Sequence, residues 1–163
     1  MPNQNNRSKF VVQKHQASHL HYDFRMEIED VLKSWAIPKS PSMNPQEKRL
    51  AVAVEDHPLS YINFEGVIPE GEYGAGAVLI WDSGKYRTIG EEDIEKQYKK
   101  GRMKFNLEGE KLKGGFVLIQ TKIGGKNKNW LLIKEKDRYT SEKDILKQEK
   151  SIKSGRKIGD LEK

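Results

Sequence analysis

From Leu20 the chain alternates strictly for ten positions: Leu20, Tyr22, Phe24, Met26 and Ile28 fall on one side, His21, Asp23, Arg25, Glu27 and Glu29 on the other. A sustained period of two predicts a long strand with one face in a core. After SWAIP, the segment KSPSMNPQEK, punctuated by Pro41 and Pro45, predicts a loop. RLAVAVEDH reads as a second strand, with Leu50, Val52 and Val54 expected to face inward. PEGEYGAG is a Gly-rich approach to AVLIW, a short buried strand, and WDSGKYRT predicts a hairpin turn around Ser83 and Gly84. EEDIEKQYKKG, residues 91–101, has the acidic start, Lys-rich end and terminal glycine of a helix. Three more strands are expected in RMKFNLEG, GGFVLIQTK and NWLLIKEKD, with GGKNKN as a hairpin connection between the last two. A closing helix is expected over 141–150, with Ser141 and Asp144 at capping-box spacing.

Many short strands and few helices predict a mainly β, single-domain fold, and closure into a barrel would remove its exposed edges. Residues 1–9 are polar and aperiodic and are expected to form a flexible tail. The domain is expected over 10–150, and the pattern assigns no structure to 151–163.

Composition narrows the functional classes. The 163-residue chain is 35% hydrophobic and 33% charged, with no apolar run of spanning length and no signal-peptide core at its start. The expected location is therefore the cytoplasm. Zero cysteines exclude disulfides and thiolate metal sites, so any metal must be held by His and carboxylate. Residues 1–100 carry 13 Lys/Arg against 15 Asp/Glu, whereas 101–163 carry 17 against 9. A basic second half favours a polyanionic partner, nucleic acid first, against a solubilising surface.

The candidate chemistry gathers in KHQASHLHYDFRME, residues 14–27, which hold three of the four histidines. On a strand, His21, Asp23 and Arg25 project from one face. An imidazole and a carboxylate two residues apart can share a cation, and the arginine can meet an anion bound to it. His15 is one candidate to complete the ligand set. His19 is the other, because it has the parity of His21. On the second strand Arg49, Ala51, Ala53, Glu55 and His57 have one parity, with Tyr61 a short loop beyond. Such an inventory suits a phosphate ester, whose oxyanions cations neutralise and whose protons imidazole or phenol handles.

The runs HxxxxxHYDFR (residues 15–25) and EDHPxxY (residues 55–61), with FVVQKHQASHLHYDFRMEIEDVLKSWAIPKSPS and KRLAVAVEDHPLSYINFEGVIPEGEYGAGAVLIWDSGKY around them, resemble the 3′-phosphoesterase domain of bacterial DNA ligase D. The resemblance is close over residues 10–86 and looser through GGFVLIQTK and NWLLIKEKD. It implies an eight-stranded β-barrel with a few short helices. It also implies a Mn²⁺-dependent hydrolase, other divalent transition metals being alternatives, that trims DNA or DNA/RNA primer-template 3′ ends for non-homologous end joining. Such domains remove a 3′-terminal ribonucleoside and then the 3′-phosphate, leaving a 3′-hydroxyl. The metal ligands would be His15, His21 and Asp23; the catalytic and phosphate-binding residues would be Arg25, His57, Arg49 and Tyr61, with Lys39 a further substrate contact. Separate ligase and polymerase proteins are the implied partners. Two other readings stay open: a cupin-like small-molecule metalloenzyme using His19 and His21, and a non-catalytic β-barrel that binds nucleic acid.

Overall fold

The computed structural model describes residues 7–122, 127–143 and 148–161. Among them are nine strands: β1 (Arg7–Gln16), β2 (Leu20–Ile28), β3 (Val31–Ile37), β4 (Arg49–Pro58), β5 (Gly66–Ile68), β6 (Gly76–Thr88), β7 (Arg102–Glu108), β8 (Lys113–Gln120) and β9 (Asn129–Lys134). Two short helices, α1 (Ile94–Lys100) and α2 (Ile158–Leu161), accompany them. All pairings are antiparallel, in the order β1-β2-β3-β4-β9-β8-β7-β6, and β6 returns to β1 to close an eight-stranded barrel. The short β5 pairs with the start of β6.

The alternation from Leu20 does what it predicts. Tyr22, Phe24, Met26 and Ile28 are buried inside the barrel, while only Leu20, at the strand end, is exposed. Phe24 sits about midway along this face, its ring 6.1 Å from Phe10, 6.2 Å from Trp35 and 6.0 Å from Phe105, centroid to centroid. In α1, Asp93 accepts the Lys96 N–H at 3.0 Å and Gly101 ends the helix in the left-handed region, as the sequence signals require.

Other expectations are corrected. β1 begins at Arg7, inside the expected tail; it showed no alternation because Phe10, Val11 and Val12 are covered on both faces. On β4 the inward residues are Ala51 and Ala53, and Leu50 and Val54 are exposed. The inner volume opposite β4 is already filled by Trp35 and Trp130, which leaves room only for alanine. Ser83 and Gly84 form no turn but lie within the 13-residue β6. A Cβ on Gly84 would stand 2.2 Å from the Glu108 carbonyl oxygen, so the glycine serves close backbone approach. The helix expected over 141–150 and the loop GGKNKN fall partly outside the described residues.

The last described segment is part of the domain. The Trp81 indole donates to the Gln148 carbonyl at 2.7 Å, and the Ile152 N–H to Ile80 at 3.0 Å. Glu65 accepts from the hydroxyls of Ser151 and Ser154. Lys153 Nζ donates to the Asn63 carbonyl at 2.7 Å.

Gly84→Ala is expected to lower the urea midpoint, with a loss of about 1–3 kcal/mol from forcing β6 and β7 apart. A wild-type midpoint would contradict the close approach.

Candidate active site

The barrel's inside is packed, and the chemistry lies on its outside. Strand pairing sets His15 opposite His21, Gln13 opposite Asp23, and Arg25 opposite Ser34. All belong to the outward parity of β1, β2 and β3, above a floor held rigid by the aromatic core beneath. A cleft of about 880 Å³ opens over them, walled on its other side by β5 and the segments 59–64 and 69–75.

His15, His21 and Asp23 bring one ligand atom each to within 4.8 Å of one another. His15 Nε2 lies 2.7 Å from the Gly74 carbonyl oxygen, which only an N–H can satisfy, so its other nitrogen, Nδ1, is the one that faces Asp23 Oδ2, at 3.4 Å. His21 Nδ1 likewise donates to the His19 carbonyl at 3.0 Å, leaving Nε2 3.1 Å from Asp23 Oδ1. Each imidazole is thus locked by a backbone carbonyl with its second nitrogen turned towards Asp23, which is how metal-ligating histidines are held: carrying a proton that nitrogen donates to the carboxylate, and without one it is free to ligate a metal. Burial alone would raise the Asp23 pKa, but hydrogen bonds from His15 and His21 and the Arg25 charge hold it well below the usual carboxylate range. The hydrogen bond to Asp23 pushes the His21 pKa up. Two nitrogens and one carboxylate leave coordination positions open, and a nitrogen–oxygen set of this kind fits Mn²⁺ and its divalent neighbours.

Arg25 adjoins the cluster and is only 4% exposed. Its Nε donates to Gln13 Oε1 at 2.7 Å, Nη1 to Ser34 Oγ at 2.8 Å, and Nη2 to Asp23 Oδ2 at 3.3 Å. Nη1 also stands 3.1 Å from His57 Nδ1. His57 Nδ1 also lies 3.2 Å from the Glu55 carbonyl oxygen, so this nitrogen is engaged by the protein from both sides and Nε2 is the ring nitrogen left for a ligand. Burial and then the Arg25 charge push the His57 pKa down, in keeping with a neutral ring. Tyr61 packs on both, 5.1 Å from the guanidinium carbon and 4.8 Å from the His57 ring; burial raises its pKa, so it keeps its phenolic proton.

Residues 13–120 match the family of the DNA ligase D 3′-phosphoesterase domain. The chain belongs to that family. It is 50% identical over 143 residues to the multifunctional non-homologous end joining protein LigD of Pseudomonas aeruginosa, covering 86% of this chain and 17% of that protein. It is 47% identical to the corresponding protein of Mycolicibacterium smegmatis over 84% of the chain and 18% of the relative. Against the multifunctional non-homologous end joining DNA repair protein LigD of Mycobacterium tuberculosis the identity is 45%, over 84% of the chain and 18% of that protein. The chain therefore spans under a fifth of the length of these relatives. The family is one of phosphoesterases acting in DNA end joining. Among the described residues no helix is long and apolar enough to cross a membrane.

Of the residues singled out in the sequence, the cleft unites His15, His21, Asp23, Arg25, His57 and Tyr61. It does not include Arg49 or Lys39. Arg49 pairs across the sheet with the core residue Leu132 and its guanidinium meets Glu47 at 3.3 Å, while Lys39 is exposed in the loop after β3. Arg49 and His57 were expected on one face, but a bulge intervenes. Ser34 pairs with Val54 and Leu32 with His57, so β4 spends three residues where β3 spends two. The extra residue turns His57 outward. His19 stands in the bend before β2, where strand parity does not apply, and it contributes its carbonyl rather than its ring. Gln13 and Ser34, which orient Arg25, and Phe64, stacked on Tyr61 at 5.1 Å, were not anticipated. Only the β1–β2 register exposes Gln13, and β1 itself gave no alternating signal.

Alanine at His15 or Asp23 is expected to weaken Mn²⁺ binding by more than the roughly 10–100-fold typical of lost outer partners, and His19→Ala to leave it near wild type. Calorimetric titration checks this; the reverse order would restore the His19–His21 pair as ligands.

Proposed function

We propose that this chain is a Mn²⁺-dependent DNA 3′-end phosphoesterase that removes 3′-terminal ribonucleosides and 3′-phosphates, leaving 3′-hydroxyl ends for ligation. The observation that carries the reading is the pair of carbonyl-locked imidazoles sharing Asp23 beside a buried, fully oriented arginine. Membership of the phosphoesterase family supports it.

His15, His21 and Asp23 would hold the metal, which when bound supplies Lewis-acid polarisation of a phosphoryl oxygen. Arg25 does the positioning. Four of its five N–H groups are engaged by Gln13, Ser34, His57 and Asp23, which leaves one Nη2–H for a phosphate oxygen. Because this fork is fixed before substrate arrives, little reorganisation accompanies charge development. His57 holds a second oxygen through Nε2–H, and Tyr61 closes the cradle as a neutral donor. Arg25→Lys would keep the charge but lose the fork, so it is not a conservative change here.

The basic second half divides between two parts of the fold. In the strand order β7, β8 and β9 lie across the barrel from β1, β2 and β3, so their lysines sit away from the cleft. From the same half, Lys153 reaches the 59–64 segment that walls the cleft, donating to the Asn63 carbonyl at 2.7 Å. Binding of a primer-template through these contacts weakens as salt rises.

The deciding experiment is phosphate release from a primer-template ending in a 3′-phosphate, with Mn²⁺ and again with EDTA. Release that requires the metal is expected; DNA binding without release in either condition would make the chain a binding module. His57→Ala is expected to cost on the order of 10²–10³ in kcat, the loss of one preorganised donor. Near wild-type turnover in that variant would remove His57 from the reaction.

A further inference from the structure

The metal cluster and the arginine fork occupy one side of the cleft, and a monophosphate needs little more. Yet the cleft holds about 880 Å³, the size of a site for a nucleotide-scale ligand. Its far wall is mainly apolar, formed by Val67, Ile68, Pro69 and Tyr73 with Glu72 among them. Tyr73 is 86% exposed and Val67 51%. Tyrosine usually buries its ring and leaves only the hydroxyl wet, so a ring held out beside a reaction site calls for a ligand.

The segment that carries Tyr73 is fixed. Ile68 pairs with Gly76 across its root, Glu72 N–H reaches the Pro69 carbonyl at 3.2 Å, and Ala75 N–H reaches Glu72 at 3.1 Å. The next residue, Gly74, accepts the hydrogen bond from His15 Nε2 at 2.7 Å. The Tyr73 Cα is therefore one peptide, about 3.8 Å, from the Cα of the residue that orients a proposed metal ligand. Exposed Glu70 and Glu72 on the same segment repel phosphates, so the nucleic-acid backbone does not run over it. An uncharged aromatic face presented amid carboxylates suits a base, not a phosphate.

We propose that Tyr73 is a stacking platform for the nucleobase of the 3′-terminal nucleotide, with Val67 and Pro69 beside it, so that the cleft recognises a nucleotide end and not a phosphate alone. The inference rests on the 3′-end reading above and names the part of the substrate that the apolar wall takes. Stacking on a tyrosine tolerates any base, which suits an enzyme that must process ends of every sequence.

The test compares two fluorescent primer-templates ending in a 3′-phosphate, one with a normal terminal nucleotide and one abasic at that position, by anisotropy in EDTA so that no turnover occurs. Wild type is expected to bind the base-bearing end roughly 5–150-fold more tightly, the range for one stacked base. Tyr73→Ala should abolish that preference and Tyr73→Trp retain it, with urea midpoints unchanged. Equal binding of both ends by wild type, or an intact preference in Tyr73→Ala, overturns the proposal. Phosphate release from the base-bearing end with Mn²⁺, run on wild type in parallel, tests the phosphoesterase reading separately: its failure leaves the binding comparison to decide the role of Tyr73.

Discussion

The outer face of this barrel is organised around one carboxylate. Asp23 is 5% exposed, a placement in which an ion survives only if its neighbours replace water. Three do so: the two imidazoles and the Arg25 guanidinium converge on its two oxygens. That convergence also sets everything around it. Arg25 must lie flat against β3, which brings Ser34 and His57 to it, and the imidazoles must turn their other nitrogens away, towards the carbonyls of Gly74 and His19. Removing the carboxylate would leave a buried guanidinium without its counter-charge, so the site and the local fold depend on the same atom pair.

The two faces of β2 divide the labour. Tyr22, Phe24 and Met26 belong to the aromatic core, and His21, Asp23 and Arg25, interleaved with them, to the cleft. A backbone clamped by Phe10, Trp35 and Phe105 from below gives the outer side chains a base that moves little, and chemistry at sub-ångström tolerance needs one. The segments that complete the site are less regular. They are tied in by side chains instead: Gln13 Nε2 donates to the carbonyls of Tyr61 and Phe64 at 3.0 and 3.1 Å, and Glu65 gathers the C-terminal serines.

How much of this was legible in the chain follows from how each feature is encoded. β2 and β7 carry a clean period, α1 its caps, and β8 and β9 short apolar runs, and these patterns located them. β1 buries both faces and so shows no period; β3 follows a turn made by Glu29 and Asp30, both at positive φ without a glycine to announce it. The inward face of β4 was misjudged because its larger residues point out. Of the site, the cluster on β2 was readable by parity, but the choice of His15 over His19 depends on pairing between strands, and the role of Gln13 on the same register. Neither is a property of local sequence. The cleft's apolar wall, in a Gly-rich loop, has no periodic signature at all.

The bulge in β4 has an evolutionary edge. Deleting one position between Val54 and His57 would give β3 and β4 a regular ladder, and His57, then two residues from Val54, would still face the cleft opposite Leu32. Moving the irregular residue to the far side of His57 would be another matter: the strand would keep its length and sequence, yet the imidazole would turn towards the packed interior. A relative can therefore lose the extra residue and still present this histidine, whereas one that keeps it in the wrong place cannot. Where the ladder breaks, ahead of His57 or behind it, says more about whether a relative works than how long the strand is.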